Sequence, residues 1–470
     1  MAALSFPWRH HWLGLLALLL FDCTSAIAAE PAKSPHVILI SVDGLAGFYL
    51  QESVAALPTL RRLAAQGALC TTMTPSFPSV TWPNHTTLAT GVSPAIHGVL
   101  GNNVIDWHSG EEIKLIGDPR FDKTELVRAP TIYDAAHAAG LTTTTVLWPA
   151  ARNAPTLTRT LPDCYSQERF EQFATRAWWD ELKQAGVPVD SRGKWVDADQ
   201  TMARCDWIST QAAVHAIEHH QPQLLLLHLL VCDSVQHLFG PRTPEAYWAL
   251  SYADDCVRDV LEAVERAGLT HQTNVVIVSD HGFFAVNKVI QPNLALKLAG
   301  LLEMGEKEIK QKQAYVLSQG GAAGVYITNP AQAEELTPRL KELFEQLEGV
   351  ERVFLPDQYA QLGQPTPREH PWAPQLWLAA RDGYMFWSGV VGDQVVTDRA
   401  IPDGPSYRGM HGFLPEHADM RATFIASGPR VKSGVRIEHM SNLEVAPTLA
   451  RLLGIPFTSA QGEPVAAALK

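Results

Sequence analysis

Three stretches of the chain are apolar almost without interruption: residues 37–42, 224–231 and 275–278. A strand with one wet face alternates polar and apolar positions, so an unbroken run marks a strand covered on both faces, as in a parallel sheet. Each run ends near an aspartate: Asp43-Gly44, Asp233, and Asp280-His281-Gly282. Between the runs the apolar period changes to that of a helix. Residues 58–67 and 131–139 have this pattern. In 244–267, Tyr247, Leu250, Val257, Leu261 and Val264 form one stripe, with Thr243 as cap, Pro244 in the first turn and Gly268 as stop. Residues 142–147 are β-branched and strand-like. This alternation predicts an α/β core with a central, mostly parallel sheet and helices on both faces.

The pattern shifts after residue 282. Strand-like segments at 324–327 and 350–354 flank a helix predicted over 338–348, whose Leu340, Leu343, Phe344 and Leu347 share a face. Residues 283–404 are therefore expected to form an inserted, smaller α+β lobe. The core, begun at 35–282, resumes over 405–456 with a strand at 423–426 and a helix at 442–453 before Gly454; 457–470 is read as a C-terminal tail.

Composition refines this outline. The 470 residues are 46% hydrophobic and 18% charged, ample for a large core. Net charge is 37 − 49 = −12, which argues against a polymeric nucleic-acid partner and leaves any anionic substrate in need of local positive charge such as metal ions. Residues 1–28 read as a signal peptide: Arg9, His10 and His11 precede an apolar run at 13–21, and Ala26-Ile27-Ala28 fits a cleavage site. The run is too short to span a bilayer, and Asp22 before Cys23 is a poor lipidation context, so no membrane anchor is expected and the destination is periplasmic or secreted. Cys70, Cys164, Cys205, Cys232 and Cys256 remain, too irregular for a disulfide framework; Cys164 and Cys205 could pair, and Cys232 reads as a buried thiol. The only glycosylation sequon is Asn84-His85-Thr86.

The candidate chemistry centres on Ser79-Val80-Thr81-Trp82-Pro83-Asn84-His85, which opens a helix expected to stop at Gly91. Thr81 is a good cap, and a hydroxyl at a helix N-terminus also faces free N–H groups that suit phosphate. Alone, capping is the simpler reading. The aspartates change the balance. Asp43 and Asp280 end strands, where open α/β sheets carry their ligand sites. Asp233 and His237 lie four apart and share a face if that segment is helical, and His411-Gly412 precedes the last strand. Carboxylate and imidazole are ligand types that zinc accepts. His85 and His97 are expected to orient neighbouring groups, His228 to be a satisfied core histidine, and Trp148 to pack. Residues 320–324 are glycine-rich but lack the spacing of a nucleotide P-loop.

Taken in order, Asp43, Thr81-Trp82-Pro83-Asn84-His85, His97-Gly98, Asp233-x-x-x-His237, Ser279-Asp280-His281-Gly282, His411-Gly412-Phe413 and Asp419 to Phe424 resemble the alkaline phosphatase superfamily, and within it the nucleotide pyrophosphatase/phosphodiesterase family. The likeness runs over about 37–456 and thins over 150–220 and 285–405. It implies an alkaline-phosphatase-like fold and two divalent metal ions, zinc by preference. One ion would be held by Asp43, Asp280, His281 and Thr81, the other by Asp233, His237 and His411. Thr81 would be the nucleophile, acidified by metal, and would form a phospho-threonine intermediate. Asn102 stands where the family asparagine contacts a phosphate oxygen. Trp82 replaces the usual phenylalanine after the nucleophile.

The expected substrate is a small phosphodiester or pyrophosphate, with Trp82 stacking on a base at roughly 1–3 kcal/mol. Packing under the lobe is the alternative role for Trp82. A phosphonate hydrolase or phosphomonoesterase would use the same ligands. A sulfatase lacks its Cys-x-Pro-x-Arg motif here, a mutase sits poorly with a secretion signal, and an inactive binding protein would be expected to have lost a ligand.

Overall fold

The computed structural model describes residues 35–117, 120–196, 202–306, 308–399 and 406–470; the signal-peptide reading falls outside them. The central sheet has nine strands. Eight run in the order Val435–Arg436, Ala68–Thr74, Ala422–Ser427, Thr273–Val278, His36–Val42, Leu224–Leu229, Thr143–Val146, Arg159–Leu161, and Met440–Ser441 pairs with Ala68–Thr74. All pairings are parallel except the two made by Ala422–Ser427.

The unbroken apolar runs have the cause the sequence implied. Ile38, Ile40 and Val42 pack with Leu225, Leu227 and Ile277 on one face, under the helices Pro58–Gln66, Met202–His220 and Pro244–Arg266. Val37, Leu39, Leu224, Leu226, Val276 and Val278 pack on the other, against the helices Ile132–Ala138 and Val445–Leu453. Successive side chains thus supply opposite cores, each fully buried Leu, Ile or Val contributing about 1.5–3 kcal/mol. Thr243 caps Pro244–Arg266 by accepting from Ala246 N, and Thr131 caps Ile132–Ala138 in a capping box with Asp134.

Residues 284–398 build an antiparallel two-stranded sheet, Leu302–Met304 with Ile309–Lys312, and two larger ones. One is antiparallel, in the order Ala314–Gln319, Ala322–Ile327, Leu376–Ala380, Val350–Phe354; the other sets Phe284–Ile290 between Gly383–Phe386 and Val396–Asp398. They share an apolar cluster with the helix Ala333–Glu345 through Leu336, Leu340 and Phe344. That helix begins a turn before the predicted start, with Pro338 inside it rather than in its first turn. The last residues are not loose. Ala468 is fully buried, and Val465 N donates to Thr448 Oγ1 (2.9 Å).

The five described cysteines are buried, Cys164 and Cys205 included, and no disulfide joins them. Asn84 is fully buried, its amide bonded to Ser76, Pro78, Val80 and Asn442, so the sequon is closed to a glycan in the folded chain. Among the described residues no helix is long and apolar enough to cross a membrane.

Candidate metal centre

The parallel strands His36–Val42 and Thr273–Val278 deliver Asp43 and Asp280 side by side at their C-terminal ends. Strand Leu224–Leu229 leads into the helix Val231–Phe239, whose turns place Asp233 and His237 on one face, His237 Nε2 3.3 Å from Asp233 Oδ1. His411 approaches from beyond the lobe, its Nε2 3.5 Å from the same oxygen. His281 Nε2 lies 3.1 Å from Asp280 Oδ2 and 3.4 Å from Asp43 Oδ1, and the His281 and His411 rings stack at 3.7 Å. Two sets of potential ligand atoms result: Asp43, Asp280 and His281; and Asp233, His281 and His411. His281 reaches into both.

The protonation pattern is informative. Nδ1 of His281, His411 and His237 each meets a backbone carbonyl, of Gly282 (3.1 Å), Ser79 (3.0 Å) and Gly409 (3.1 Å). A carbonyl only accepts, so Nδ1 carries the proton and the Nε2 lone pairs are turned toward the carboxylates, as in metal-ligating histidines. Asp43 Oδ1, Asp233 Oδ1, Asp280 Oδ2 and His281 Nε2 are buried and have no hydrogen-bond partner. Without a cation the charges conflict. Burial and then the neighbouring carboxylates push Asp280 up to about 8 and Asp43 well above its ordinary value, while burial holds His411 down to about 4. Burial opposes ionisation of Asp233 as well, but His237 and His411 keep it ionised. Divalent cations resolve this conflict, so the donor set fits metal.

Thr81 is the first residue of the helix Thr81–Thr90, not its cap; Val80 holds that position, and no side chain caps the helix. The Thr81 hydroxyl, in a side chain 5% exposed, is thereby not spent on capping. His85 ties this turn to the carboxylates: its Nδ1 is 2.9 Å from the Thr81 carbonyl and 3.6 Å from Asp280 Oδ2. Asn102 Oδ1 accepts from Trp82 N (2.9 Å), which leaves the Asn102 amide N–H groups for another acceptor.

The expectation that the Trp82 ring projects beside the phosphate is overturned. The ring is 1% exposed, packed with Val99, Leu100, Val104, Ile113 and Leu126, and its Nε1 donates to Asp163 Oδ2 (3.1 Å). All ten residues of this helix are buried, so opening the helix does not bring Trp82 to solvent. Trp148 is buried beside His85, as packing predicted. His97 bonds Thr87 Oγ1 and Val99 N, an orienting role.

The structure gives His228 more than the core position expected of it. It is fully buried, but its partner is Asp43: Nε2 lies 3.0 Å from Oδ2, and Nδ1 lies 3.1 Å from the Leu147 carbonyl. Strand register explains the meeting, because His228 stands opposite Ser41, two residues before Asp43. The available signal was a polar residue near the C-terminal end of an otherwise apolar strand.

A cavity of about 460 Å³ opens beside His237, His411 and Asn102. The lobe supplies its other wall with Gln319, Phe386 and Trp387, and Tyr407 completes it. Its described lining contains no Lys or Arg. A larger groove of about 760 Å³, beside the helices Pro58–Gln66 and Pro244–Arg266, is lined by none of the seven expected metal ligands.

A mostly parallel sheet with carboxylate and imidazole groups gathered at its strand ends is the arrangement of an alkaline-phosphatase-like fold. The profile of the type I phosphodiesterase / nucleotide pyrophosphatase family matches residues 37–414, and the chain belongs to that family. It is 23% identical over 427 residues to mouse ectonucleotide pyrophosphatase/phosphodiesterase family member 1, covering 90% of this chain but 41% of that protein. Mouse family member 7 is 24% identical over 462 residues, covering 97% of this chain and 91% of the relative. Among solved structures, murine ectonucleotide pyrophosphatase/phosphodiesterase 5 superposes with a TM-score of 0.67 at 18% identity, covering 91% of this chain and 97% of that one. Its inactive variant in complex with AMP gives the same score at 17% identity, covering 93% and 100%.

Proposed function

We propose that this chain is a metal-dependent hydrolase that cleaves phosphodiester or pyrophosphate bonds of small, nucleotide-like molecules through a phospho-threonine intermediate. The observation that carries this reading is the convergence of buried, unpartnered carboxylate and imidazole atoms next to a helix whose first residue is Thr81. Family membership and the names of the relatives agree with it. Asp43, Asp280, His281 and the Thr81 hydroxyl would hold one ion, and Asp233, His237 and His411 the other, with zinc favoured by the mixed nitrogen and oxygen donors. When bound, the ions supply the positive charge that acidifies the Thr81 hydroxyl and neutralises the phosphate.

The residues then divide the work. Thr81 Oγ1 attacks phosphorus in line, and the bond to the leaving oxygen breaks as the new P–O bond forms. The Asn102 amide, aimed by its bond from Trp82 N, donates to an equatorial oxygen whose charge grows in the transition state. Water later cleaves the phospho-threonine bond and regenerates the hydroxyl. The organic group of the substrate would lie in the cavity against Trp387 and Tyr407, since Trp82 is enclosed. The signal-peptide pattern expected over residues 1–28 supports a periplasmic or secreted location.

Thr81→Ala should abolish turnover without changing thermal stability, while Thr81→Ser retains part of the rate because the hydroxyl survives. Mass spectrometry of quenched enzyme should find the phosphoryl group on Thr81. Retention of most of the rate by Thr81→Ala would reject the intermediate. A matched diester, monoester and phosphonate separate this activity from the phosphomonoesterase and phosphonate hydrolase readings, each predicting a different fastest substrate.

A further inference from the structure

Near its end the helix Met202–His220 carries four polar side chains, His215, Glu218, His219 and His220. A histidine near a helix C-terminus is favourable against the dipole, and one such residue would need no further account. Here three imidazoles crowd together: the His215 ring centroid lies 4.5 Å from that of His219 and 5.7 Å from that of His220. Glu181, from the neighbouring helix Arg176–Gln184, reaches in with Oε2 2.6 Å from His220 Nε2. One ligand atom from each of Glu181, His215 and His220 lies within 4.8 Å of the other two. A simple Glu–His pair leaves this arrangement incomplete, because His215 Nδ1 is buried and has no hydrogen-bond partner. Glu218 is engaged elsewhere, accepting from Arg266 Nε (2.6 Å).

We propose that Glu181, His215 and His220 form a further divalent transition-metal site, separate from the catalytic centre, that ties the helix Arg176–Gln184 to the helix Met202–His220. Two imidazole nitrogens and one carboxylate oxygen suit Zn²⁺, Cu²⁺ or Ni²⁺ and are a poor match for Ca²⁺ or Mg²⁺, which prefer all-oxygen shells. His219, exposed beside His215, stands at the rim of the site. The site lies at the opposite pole from the candidate catalytic residues. His220 precedes the start of strand Leu224–Leu229, and Asp233 follows its end, so a strand length of roughly 20 Å separates them.

The test uses the full-length chain. Wild type and the His215→Ala/His220→Ala double variant are dialysed against the same low-micromolar Zn²⁺ buffer and analysed for bound zinc. The double variant should hold one ion fewer per chain with unchanged kcat/KM on a phosphodiester. Equal zinc content would overturn the proposal. Because the difference is what is read, it survives even if the catalytic centre takes no metal, so this failure and failure of the catalytic reading are distinguishable. Glu181→Gln guards against a folding defect, since it keeps the side-chain shape while removing the charged ligand. It should weaken zinc binding at this site by about tenfold or more, measured against a competing chelator. A folded Glu181→Gln protein with wild-type zinc affinity would also overturn the proposal.

Discussion

Trp82 and Trp387 stand in opposite surroundings near the proposed site. Trp82 follows the proposed nucleophile but is sealed among aliphatic side chains, whereas Trp387 is partly exposed on the cavity wall. Trp82→Ala should therefore cost about 3–5 kcal/mol of stability and reduce turnover of all substrates together. Trp387→Ala should leave the melting temperature within error and lower kcat/KM for aryl or nucleoside diesters by about tenfold relative to alkyl ones. An alkyl/aryl ratio unchanged by Trp387→Ala would remove the stacking surface from the proposal. His228 has a separate expectation. As the partner of Asp43 Oδ2 it should set metal affinity, so His228→Ala should weaken zinc binding about 10–100-fold in a chelator competition. His228→Gln, with an amide able to reach Asp43, should recover much of that loss. Asp43, Asp233 and Asp280 were legible in the sequence because each follows an apolar run. His228 was not, because a histidine inside such a run reads as core until register shows what lies across from it.

Among the elements, the helix Val231–Phe239 depends on a residue that its own sequence does not contain. It has no side-chain cap at its start. Asp206, from the helix Met202–His220, accepts from Leu230 N (2.9 and 3.0 Å) and Val231 N (2.9 Å), a cap supplied from 25 residues away. Asp206→Ala would leave those donors buried and unpaired, at about 1–3 kcal/mol, and should loosen the turn that positions Asp233. Burial raises the Asp206 carboxyl from 3.8 to about 7, so the folded chain binds this proton more tightly than the unfolded chain. The resulting stability is fully present below about pH 4 and is lost as the pH rises toward about 7, by up to about 1.4 kcal/mol per unit. Asp206→Asn cannot titrate. Urea melts should therefore show the stability of wild type falling relative to Asp206→Asn across that window; a constant difference would contradict the shift. Remote caps of this kind escape sequence reading because their partners are joined only by tertiary structure. The same holds for Arg159–Leu161, Val435–Arg436 and Met440–Ser441, strands of two or three residues that carry no periodicity of their own. The long strands were legible because burial on both faces writes itself as an unbroken run, but the reversed direction of Ala422–Ser427 leaves no mark in composition.

For the whole molecule, one hairpin tip of the 284–398 segment reaches the proposed site in the core. Strands Ala314–Gln319 and Ala322–Ile327 join at Gly320 and Gly321, the glycine-rich segment that has no P-loop spacing. Gln319 Oε1 accepts from Asn102 N (3.0 Å), and its Nε2 donates to the Asn103 carbonyl (2.7 Å). Gly321 N donates to the His411 carbonyl (2.8 Å). The tip thus clasps both the proposed phosphate-binding asparagine and a proposed metal ligand. It can come so close because Gly412, at φ 93°, lies against the Gln319 carbonyl, where a Cβ would sit 2.0 Å from the oxygen. In this arrangement the lobe is a positioning device as well as a cavity wall. Gln319→Ala removes both side-chain bonds, leaves Asn102 N without its acceptor and should cost about 1–3 kcal/mol, a loss that a domain of this size survives. The larger effect should be kinetic. Asn102 is assigned to charge that develops in the transition state, so its displacement should lower kcat by about 10-fold or more while KM changes little. Gln319→Glu retains the acceptor for Asn102 N but sets a carboxylate against the Asn103 carbonyl, and should fall between wild type and Gln319→Ala. If Gln319→Ala instead raised KM at constant kcat, the hairpin would be shaping the binding cavity alone, and Asn102 would be held by its bond to Trp82 N without help from the lobe.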